Sequence, residues 1–210
     1  KSDQGRPEMS MANRVFEFAN EITQRVTEIY PDKKIEVYGY GTYRNPPAFP
    51  VHANIVLKYT LWPNYPVNVS IGDMSVPANK KRQETLDAWI KQGVKEFNVY
   101  EYGDYIHPDV PLFSFNSIVD SLKCLKEKWN FRGALGETSN DVNVAFMWHN
   151  LRARALWNNR IDYQKEVNDI CESLYGDVSG QMKNYYQAMD KALMEYRGAA
   201  VDNYDPFVYN

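Results

Sequence analysis

Cysteine is scarce in this sequence, with only Cys124 and Cys171 among 210 residues. Each lies within an apolar helical pattern, so we expect two buried thiols rather than a disulfide. No apolar run is long enough for a transmembrane helix, and we expect no membrane span. No cluster of His, Cys and Asp has the spacing of zinc ligands, and no glycine-rich phosphate loop follows a strand. The sequence therefore predicts neither a metal site nor a bound cofactor.

An excess of charge of one sign is also absent. The chain has 24 Lys and Arg against 27 Asp and Glu, interspersed, for a net charge of −3. It has no basic face, so we expect no nucleic acid partner. Aromatic residues are abundant instead, with 16 Tyr and 5 Trp. Such flat amphipathic rings stack on sugars in carbohydrate-binding clefts, although tyrosine-rich loops also occur on protein-binding surfaces.

The stretch KEFNVYEYGDYIHPDVPL, residues 95–112, shows how the chain is organised. A strand-like run of apolar and aromatic residues ends in Glu101 and opens into a loop rich in Gly, Asp, Tyr, His and Pro. The segments IEVYGYGTYRNPP, NIVLKYTLWPNYP and FRGALGETSND have the same design. The predicted strands lie near residues 34–40, 54–60, 96–102 and 131–136. Because helix-length spacers separate them, we expect parallel strands adjacent in chain order, with a site at their carboxyl ends.

The first predicted helix extends from a cap at Ser10 to a stop at Tyr30, which precedes a proline. Its apolar positions at the helical period are Val15, Phe18, Ala19, Ile22, Val26 and Ile29.

Two more helices are predicted between the strands, at 80–92 and 114–128. The inward residues of the first of these are expected to be Leu86, Trp89 and Ile90. The connection over residues 63–77 is longer than usual, which indicates a functional or mobile loop.

From residue 141 onward the pattern is helical only. Helices are expected at about 141–157, 163–175 and 178–197. Asp162 is placed to cap the second of them and Gly176 to end it. The first has an apolar stripe that must be buried, made of Val144, Met147, Trp148, Leu151, Ala155 and Leu156. The expected organisation is a disordered lead-in over 1–8, βα units over 9–140, a helical appendix over 141–197 packed on the same domain, and a tail over 198–210.

The predicted fold class is α/β, with four parallel βα units that correspond to the C-terminal half of a (β/α)8 TIM barrel, followed by a helical C-terminal region. A complete barrel has eight such units. An open four-stranded sheet would leave two unpaired edges, which isolated proteins avoid. Either strands outside this chain complete the sheet, or helices cover it as a small open α/β sheet.

Four segments carry a family resemblance: IYPDKKIEVYGYGTYRNPP, VYEYGDY, WNFRGALGETSNDV and LRARALWNNRIDYQKEVNDICESLYG. Together they resemble the C-terminal portion of the bacterial family catalogued as domain of unknown function 4838. The similarity extends roughly over residues 9–192. Its most specific part is ALW-x-x-x-x-D, from Ala155 to Asp162, followed by a short helix that ends in Tyr175-Gly176.

Members of that family are common in gut Bacteroidetes and resemble glycoside hydrolases of the α-glucuronidase type. The resemblance implies the second half of a glycosidase-like barrel, a glycan or oligosaccharide as partner, and a role in polysaccharide utilisation in the periplasm or outside the cell. It also implies that a missing N-terminal half of a parent protein, or self-association, completes the barrel. Family members often have Asp where this sequence has Glu101, which keeps the carboxylate but moves it by a methylene.

Glycoside hydrolysis needs two carboxylates roughly 5 to 10 Å apart. Glu101 and Glu137 each end a predicted strand and are the candidate catalytic pair. Candidate substrate-binding residues at the same ends are Tyr40, Arg44, Trp62, Tyr102, Tyr105 and His107. Each acid could instead accept loop N–H groups or pair with an arginine such as Arg44, and each ring could pack in the core. Two functions therefore stay open: a glycoside hydrolase fragment, or a non-catalytic carbohydrate-binding or interaction domain.

Overall fold

A four-stranded parallel sheet organises the computed structural model, which describes residues 11–61, 69–101, 114–136 and 142–195. Its strands are β1 (Ile35–Gly39), β2 (Ile55–Thr60), β3 (Glu96–Glu101) and β4 (Phe131–Gly136). Their order is β1-β2-β3-β4, and every neighbouring pair is parallel. The predicted α/β class and the predicted strand order are confirmed. All four carboxyl ends therefore meet at one edge of the sheet.

Six α-helices lie in the described chain: one precedes β1, one connects β2 to β3, one connects β3 to β4, and three follow β4. They are α1 (Ala12–Ile29), α2 (Pro77–Lys91), α3 (Phe115–Trp129), α4 (Val142–Trp157), α5 (Tyr163–Tyr175) and α6 (Ser179–Glu195). Asp162 caps α5 as predicted, because its carboxylate accepts the N–H groups of Gln164 at 3.0 Å and Lys165 at 3.3 Å. Gly176 follows α5 with a positive φ of 50°, which is the stop that the sequence predicted. No helix in the described ranges combines the length and apolar character needed to cross a membrane.

The two faces of the sheet differ. One face, which we call the helix-covered face, carries Leu57, Tyr59, Phe97 and Val99, all buried in one cluster with residues of α1, α2 and α3. The alternate positions form what we call the open face, with Glu36, Tyr38, Lys58, Asn98 and Tyr100. Tyr38 is 38% exposed there, although Val56 and Thr60 of β2 are buried. Right-handed crossovers are the rule for parallel strands joined through a helix, and they would place α2 and α3 on the same face. The β1–β2 connection contains the 3-10 turn Gly41–Tyr43 and no α-helix.

The buried stripe of α1 differs from the apolar positions that follow the helical period in the sequence, of which Ala19 is buried and Val15 is partly buried against the core. The helix buries Ala12, Phe16, Ala19 and Thr23, whereas Phe18, Ile22 and Ile29 are exposed. Phe16 packs against Trp89, with 4.7 Å between ring centroids, and this contact sets the rotation of the helix. The stripe includes a polar residue because the Thr23 hydroxyl donates to the Ala19 carbonyl at 2.7 Å.

Two predicted inward assignments fail near helix ends. Leu86 and Trp89 are buried in α2, but Ile90 is exposed. In α4, Met147, Trp148, Leu151 and Ala155 are buried as predicted, and Leu156 is exposed. The side chain of Val144 lies outside the described residues. The buried α4 residues join the same hydrophobic cluster as the sheet, together with Val167, Ile170 and Tyr186 of the last two helices.

Both cysteines are free thiols, as predicted. Cys171 is buried, whereas Cys124 is only partly buried. Burial raises the pKa of each thiol, which keeps both in the unreactive protonated form.

The end of the long β2–α2 connection is attached to the helices. Ile71 is fully buried, its N–H donates to the Ser121 hydroxyl at 3.0 Å, and its carbonyl accepts from the Gln83 amide at 2.8 Å. The Asn79 amide donates to the carbonyls of Ser70 at 2.8 Å and Asp73 at 3.1 Å. Residues 69–76 are therefore held by polar side chains of α2 and α3.

Candidate functional site

The carboxyl edge of the sheet is the predicted location of the site. Glu101 is the last residue of β3 and is in register with Gly136, the last residue of β4. Beside them, the Leu61 N–H donates to the Tyr100 carbonyl at 3.2 Å, which extends the β2–β3 ladder to this edge. Tyr40 and Arg44 follow β1 at the same edge. The other predicted site residues lie outside the described residues: Trp62, Tyr102, Tyr105, His107 and Glu137.

Glu101 pairs with an arginine that the sequence reasoning did not single out. Its Oε2 lies 2.8 Å from Nη2 of Arg152, and the two side chains are 18% and 7% exposed. The partner is Arg152 of α4, not Arg44. The Nη2 N–H bonds are not aligned with an acceptor in the described part of the chain, so the contact is ionic in character. Glu101 alternates with Val99 and Phe97, so its side chain lies on the helix-covered face at the edge.

Two further contacts fix the Arg152 guanidinium. A Cβ added to Gly136 would lie 2.3 Å from Nη1 of Arg152. The guanidinium therefore occupies the space that a side chain at position 136 would fill. The guanidinium also lies 5.0 Å from the centroid of the Trp148 ring, one helical turn earlier in α4. Residues of β3, β4 and α4 therefore meet at one point of the edge.

Tyr40 and Arg44 lie in a tight turn after β1. The Tyr43 N–H donates to the Tyr40 carbonyl at 2.9 Å, and the indole N–H of Trp89 donates to the Arg44 carbonyl at 2.8 Å. Burial raises the pKa of Tyr59, and the positive charges of Arg44 and of Arg82 in α2 oppose that shift. Both guanidinium groups therefore act on the buried phenol below this turn.

A second group of side chains, which sequence reasoning missed, lies on the open face. The rings of Tyr38 and Tyr100 meet edge to face, with centroids 5.6 Å apart. Lys58 lies 5.1 Å from the Tyr38 ring centroid and forms an ion pair with Glu36. The Asn98 amide donates to the other Glu36 oxygen at 2.5 Å. The hydrogen bond with Glu36 raises the pKa of Lys58, and burial opposes the shift.

The signal for this group was present in the sequence. In IEVYG and EFNVYE, polar or aromatic residues alternate with Val or Phe, and this period places them together on one face of a strand. The predicted site residues all lie at or after strand ends, so this group was not among them. The open face thus adds two rings, a carboxylate, an ammonium and an amide to the carboxyl edge, a combination that can contact both the apolar and the hydroxylated parts of a ligand.

Comparisons with known proteins identify the family but no characterised relative. Within the described residues, no group of three or more His, Cys, Asp and Glu side chains is placed to hold a metal. No curated protein sequence and no solved structure matches the chain. The family model described as Domain of unknown function (DUF4838) matches residues 2–187. The chain therefore belongs to the DUF4838 family.

Proposed function

We propose that this chain is a carbohydrate-active protein, the part of a glycoside hydrolase whose open face and carboxyl edge form one wall of a glycan site. The observation that carries the proposal is the Tyr38–Tyr100 ring pair, accessible on the open face beside Glu36, Lys58 and Asn98.

This combination suits the two chemistries of a sugar. A pyranose has an apolar face of C–H groups that stacks on an aromatic ring, and a rim of hydroxyls that needs donors and acceptors. Tyr38 offers the ring, since it is 38% exposed. Glu36 is held by Lys58 on one oxygen and by Asn98 on the other. These polar groups are thus oriented before any ligand arrives, which reduces the entropy that binding would cost.

The sheet also fits one half of a (β/α)8 barrel. Its strands follow one another in order, and the described helices lie against one face. Four more parallel strands would close it, with the open face toward the barrel axis and the carboxyl edge at the mouth, where barrel enzymes have their sites. A preceding half of a parent protein or a second copy would supply those strands.

Bond cleavage would require Glu101 and Glu137. Glu137 directly follows Gly136, which is in register with Glu101, so the two acids belong to neighbouring strand ends. Glu101, opposite a guanidinium, is suited to the role of base, nucleophile or electrostatic stabiliser. Glu137 would then act as the general acid that protonates the leaving oxygen.

One observation favours the alternative, a carbohydrate-binding module without catalysis. Glu101 lies on the helix-covered face, against the buried Arg152, whereas the two rings lie on the open face. Such a carboxylate could serve the structure alone. Binding and cleavage therefore need separate tests.

Binding is tested by titrating the full chain with a panel of plant and host oligosaccharides. Loss of one stacking ring costs about 1–1.5 kcal/mol, so Tyr38→Ala and Tyr100→Ala should each weaken affinity about fivefold to tenfold. Tyr185→Ala is the matched control, because Tyr185 is an exposed tyrosine of α6, remote in sequence from the sheet. Equal affinity of the Tyr38, Tyr100 and Tyr185 variants, or no binding by any panel member, would refute the glycan wall.

Cleavage is tested with Glu101→Gln and Glu137→Gln, which keep the shape and remove the charge. If the acids catalyse, turnover should fall by orders of magnitude with little change in KM. Near-normal turnover of both variants on a glycan that the protein cleaves would show that neither acid is catalytic.

A further inference from the structure

Helix α4 carries two arginines, two positions apart, that serve different partners. Arg152 pairs with Glu101 at the end of β3, and Arg154 pairs with Glu166 of α5. The two carboxylates are similarly exposed, 18% for Glu101 and 19% for Glu166. The arginines differ, since the Arg152 side chain is 7% exposed and that of Arg154 is 40% exposed. Only the Glu101 pair is enclosed.

The enclosure of Arg152 comes from two sides. The backbone of Gly136 leaves no room for even a methyl group in front of Nη1, and the Trp148 ring lies 5.0 Å from the guanidinium carbon. A long arginine side chain normally has many rotamers, but contacts of this kind leave it few. The Glu101 carboxylate is consequently opposite a charge whose location is fixed by β4 and α4.

Stability alone does not explain this arrangement. Taking two charges out of water is costly, and a well-packed apolar pair is often as stable as a buried ion pair or more so. A catalytic or binding carboxylate, in contrast, must be held within about 0.5 Å of its productive location by neighbouring groups. A fixed guanidinium beside a partly exposed carboxylate meets that requirement.

We propose that Arg152 is the positioning residue of the Glu101 carboxylate, that Gly136 is a glycine because the guanidinium passes across it, and that α4 is thereby part of the site. The proposal rests on the proposed function for what Glu101 then does. The pairing itself is independent of any glycan.

The first experiment measures the reactivity of Glu101 in the full chain. A water-soluble carbodiimide with an amine nucleophile labels accessible carboxylates, and mass spectrometry of peptides gives the rate at each site. Arg152→Met removes the guanidinium, and Gly136→Ala displaces it. Each should raise the labelling rate of Glu101 severalfold while Glu166 stays unchanged. Arg154→Met, the matched control, should do the reverse, because it frees Glu166 alone.

Two results would overturn the positioning role. One is an unchanged rate at Glu101 in both variants. The other is an equal rise at Glu101 and Glu166, which would show general loosening of the fold. If Gly136→Ala fails to fold, Arg152→Lys serves as the second variant, since it keeps the charge, lacks the fork of the guanidinium and should give an intermediate rate at Glu101.

The second experiment separates this proposal from the proposed function. On a glycan whose turnover Glu101→Gln abolishes, Arg152→Met and Gly136→Ala should lower kcat at least tenfold and leave KM within about threefold. Unchanged kcat in both variants would overturn the role of Arg152 at the site. If the labelling result holds but Glu101→Gln changes no turnover, the proposed cleavage function fails and the positioning of Glu101 by Arg152 stands.

Discussion

The Glu101–Arg152 pair can be broken by replacing either residue, and the two substitutions should lower the free energy of unfolding by different amounts. The arginine is the more deeply buried partner, at 7% exposure against 18% for the glutamate. Glu101→Leu removes the carboxylate and leaves a buried guanidinium without its counterion. Arg152→Met leaves the carboxylate, which can turn toward water at the edge of the sheet. Replacing Glu101 should therefore destabilise the fold more than replacing Arg152, because the group left without its partner is then the more deeply buried arginine.

The magnitudes follow from that difference. Leaving a buried charge unpaired costs about 3–5 kcal/mol, which we expect for Glu101→Leu. For Arg152→Met we expect about 1–2 kcal/mol, since the remaining carboxylate can be hydrated and the methionine still covers the Trp148 ring. The double variant, which buries no charge at this point, should lie within about 1 kcal/mol of the parent chain.

The assay is urea denaturation at 25 °C followed by fluorescence and circular dichroism, with the slopes compared so that only two-state variants are used. Arg154→Met is the control, because its pair is more exposed and should be worth less than about 1 kcal/mol. A larger loss of stability in Arg152→Met than in Glu101→Leu, or a double variant as unstable as Glu101→Leu alone, would refute the expected asymmetry of the pair.

Two further stability predictions use backbone geometry and pH. Gly93 has a φ of +103° and its added Cβ would lie 2.9 Å from the Val51 carbonyl oxygen, so Gly93→Ala should lower the free energy of unfolding by about 1–3 kcal/mol. Gly180 has open space around it, so Gly180→Ala should leave stability unchanged or raise it by up to about 1 kcal/mol. Equal changes for Gly93→Ala and Gly180→Ala in urea denaturation would contradict both expectations. Burial raises the pKa of Asp190, although the hydrogen bond from the Phe115 N–H opposes the shift. The contribution of Asp190 to stability is therefore full below the unfolded-state pKa of about 3.9 and is lost as the pH rises through the higher pKa of the folded state. The stability of the parent chain minus that of Asp190→Asn should therefore fall as the pH rises above about 4, and a difference that grows with pH would be contrary to this assignment.

The strands could be predicted because their signal is local. Short, mostly apolar runs bounded by turn residues located all four strands to within one residue. The long spacers between them indicated parallel strands in sequential order, although the β1–β2 spacer holds the 3-10 turn Gly41–Tyr43 and no α-helix. The facing of α1 could not be predicted in the same way. Two overlapping stripes fit the helical period, and the choice between them depends on the contact of Phe16 with Trp89, which is distant in sequence.

The candidate site shows the same division. The position of Glu101 at the carboxyl edge follows from the end of a strand pattern, and the structure describes it there. Its pairing with Arg152 depends on how α4 packs against β4 and on the missing side chain of Gly136, and no periodicity in the sequence reports such a contact. The Tyr38–Tyr100 pair was accessible to sequence reasoning through alternation, but only once the strand order was known.

The attachment of Ile71 to α2 and α3 has a consequence for how the protein opens. Both backbone groups of Ile71 are bonded to side chains of those helices, and the residue is fully buried between them. Its amide hydrogen cannot meet solvent while Ser121 of α3 remains in place. Although Ile71 belongs to a loop, exchange of its amide hydrogen therefore reports the separation of this loop from α2 and α3 rather than local loop motion.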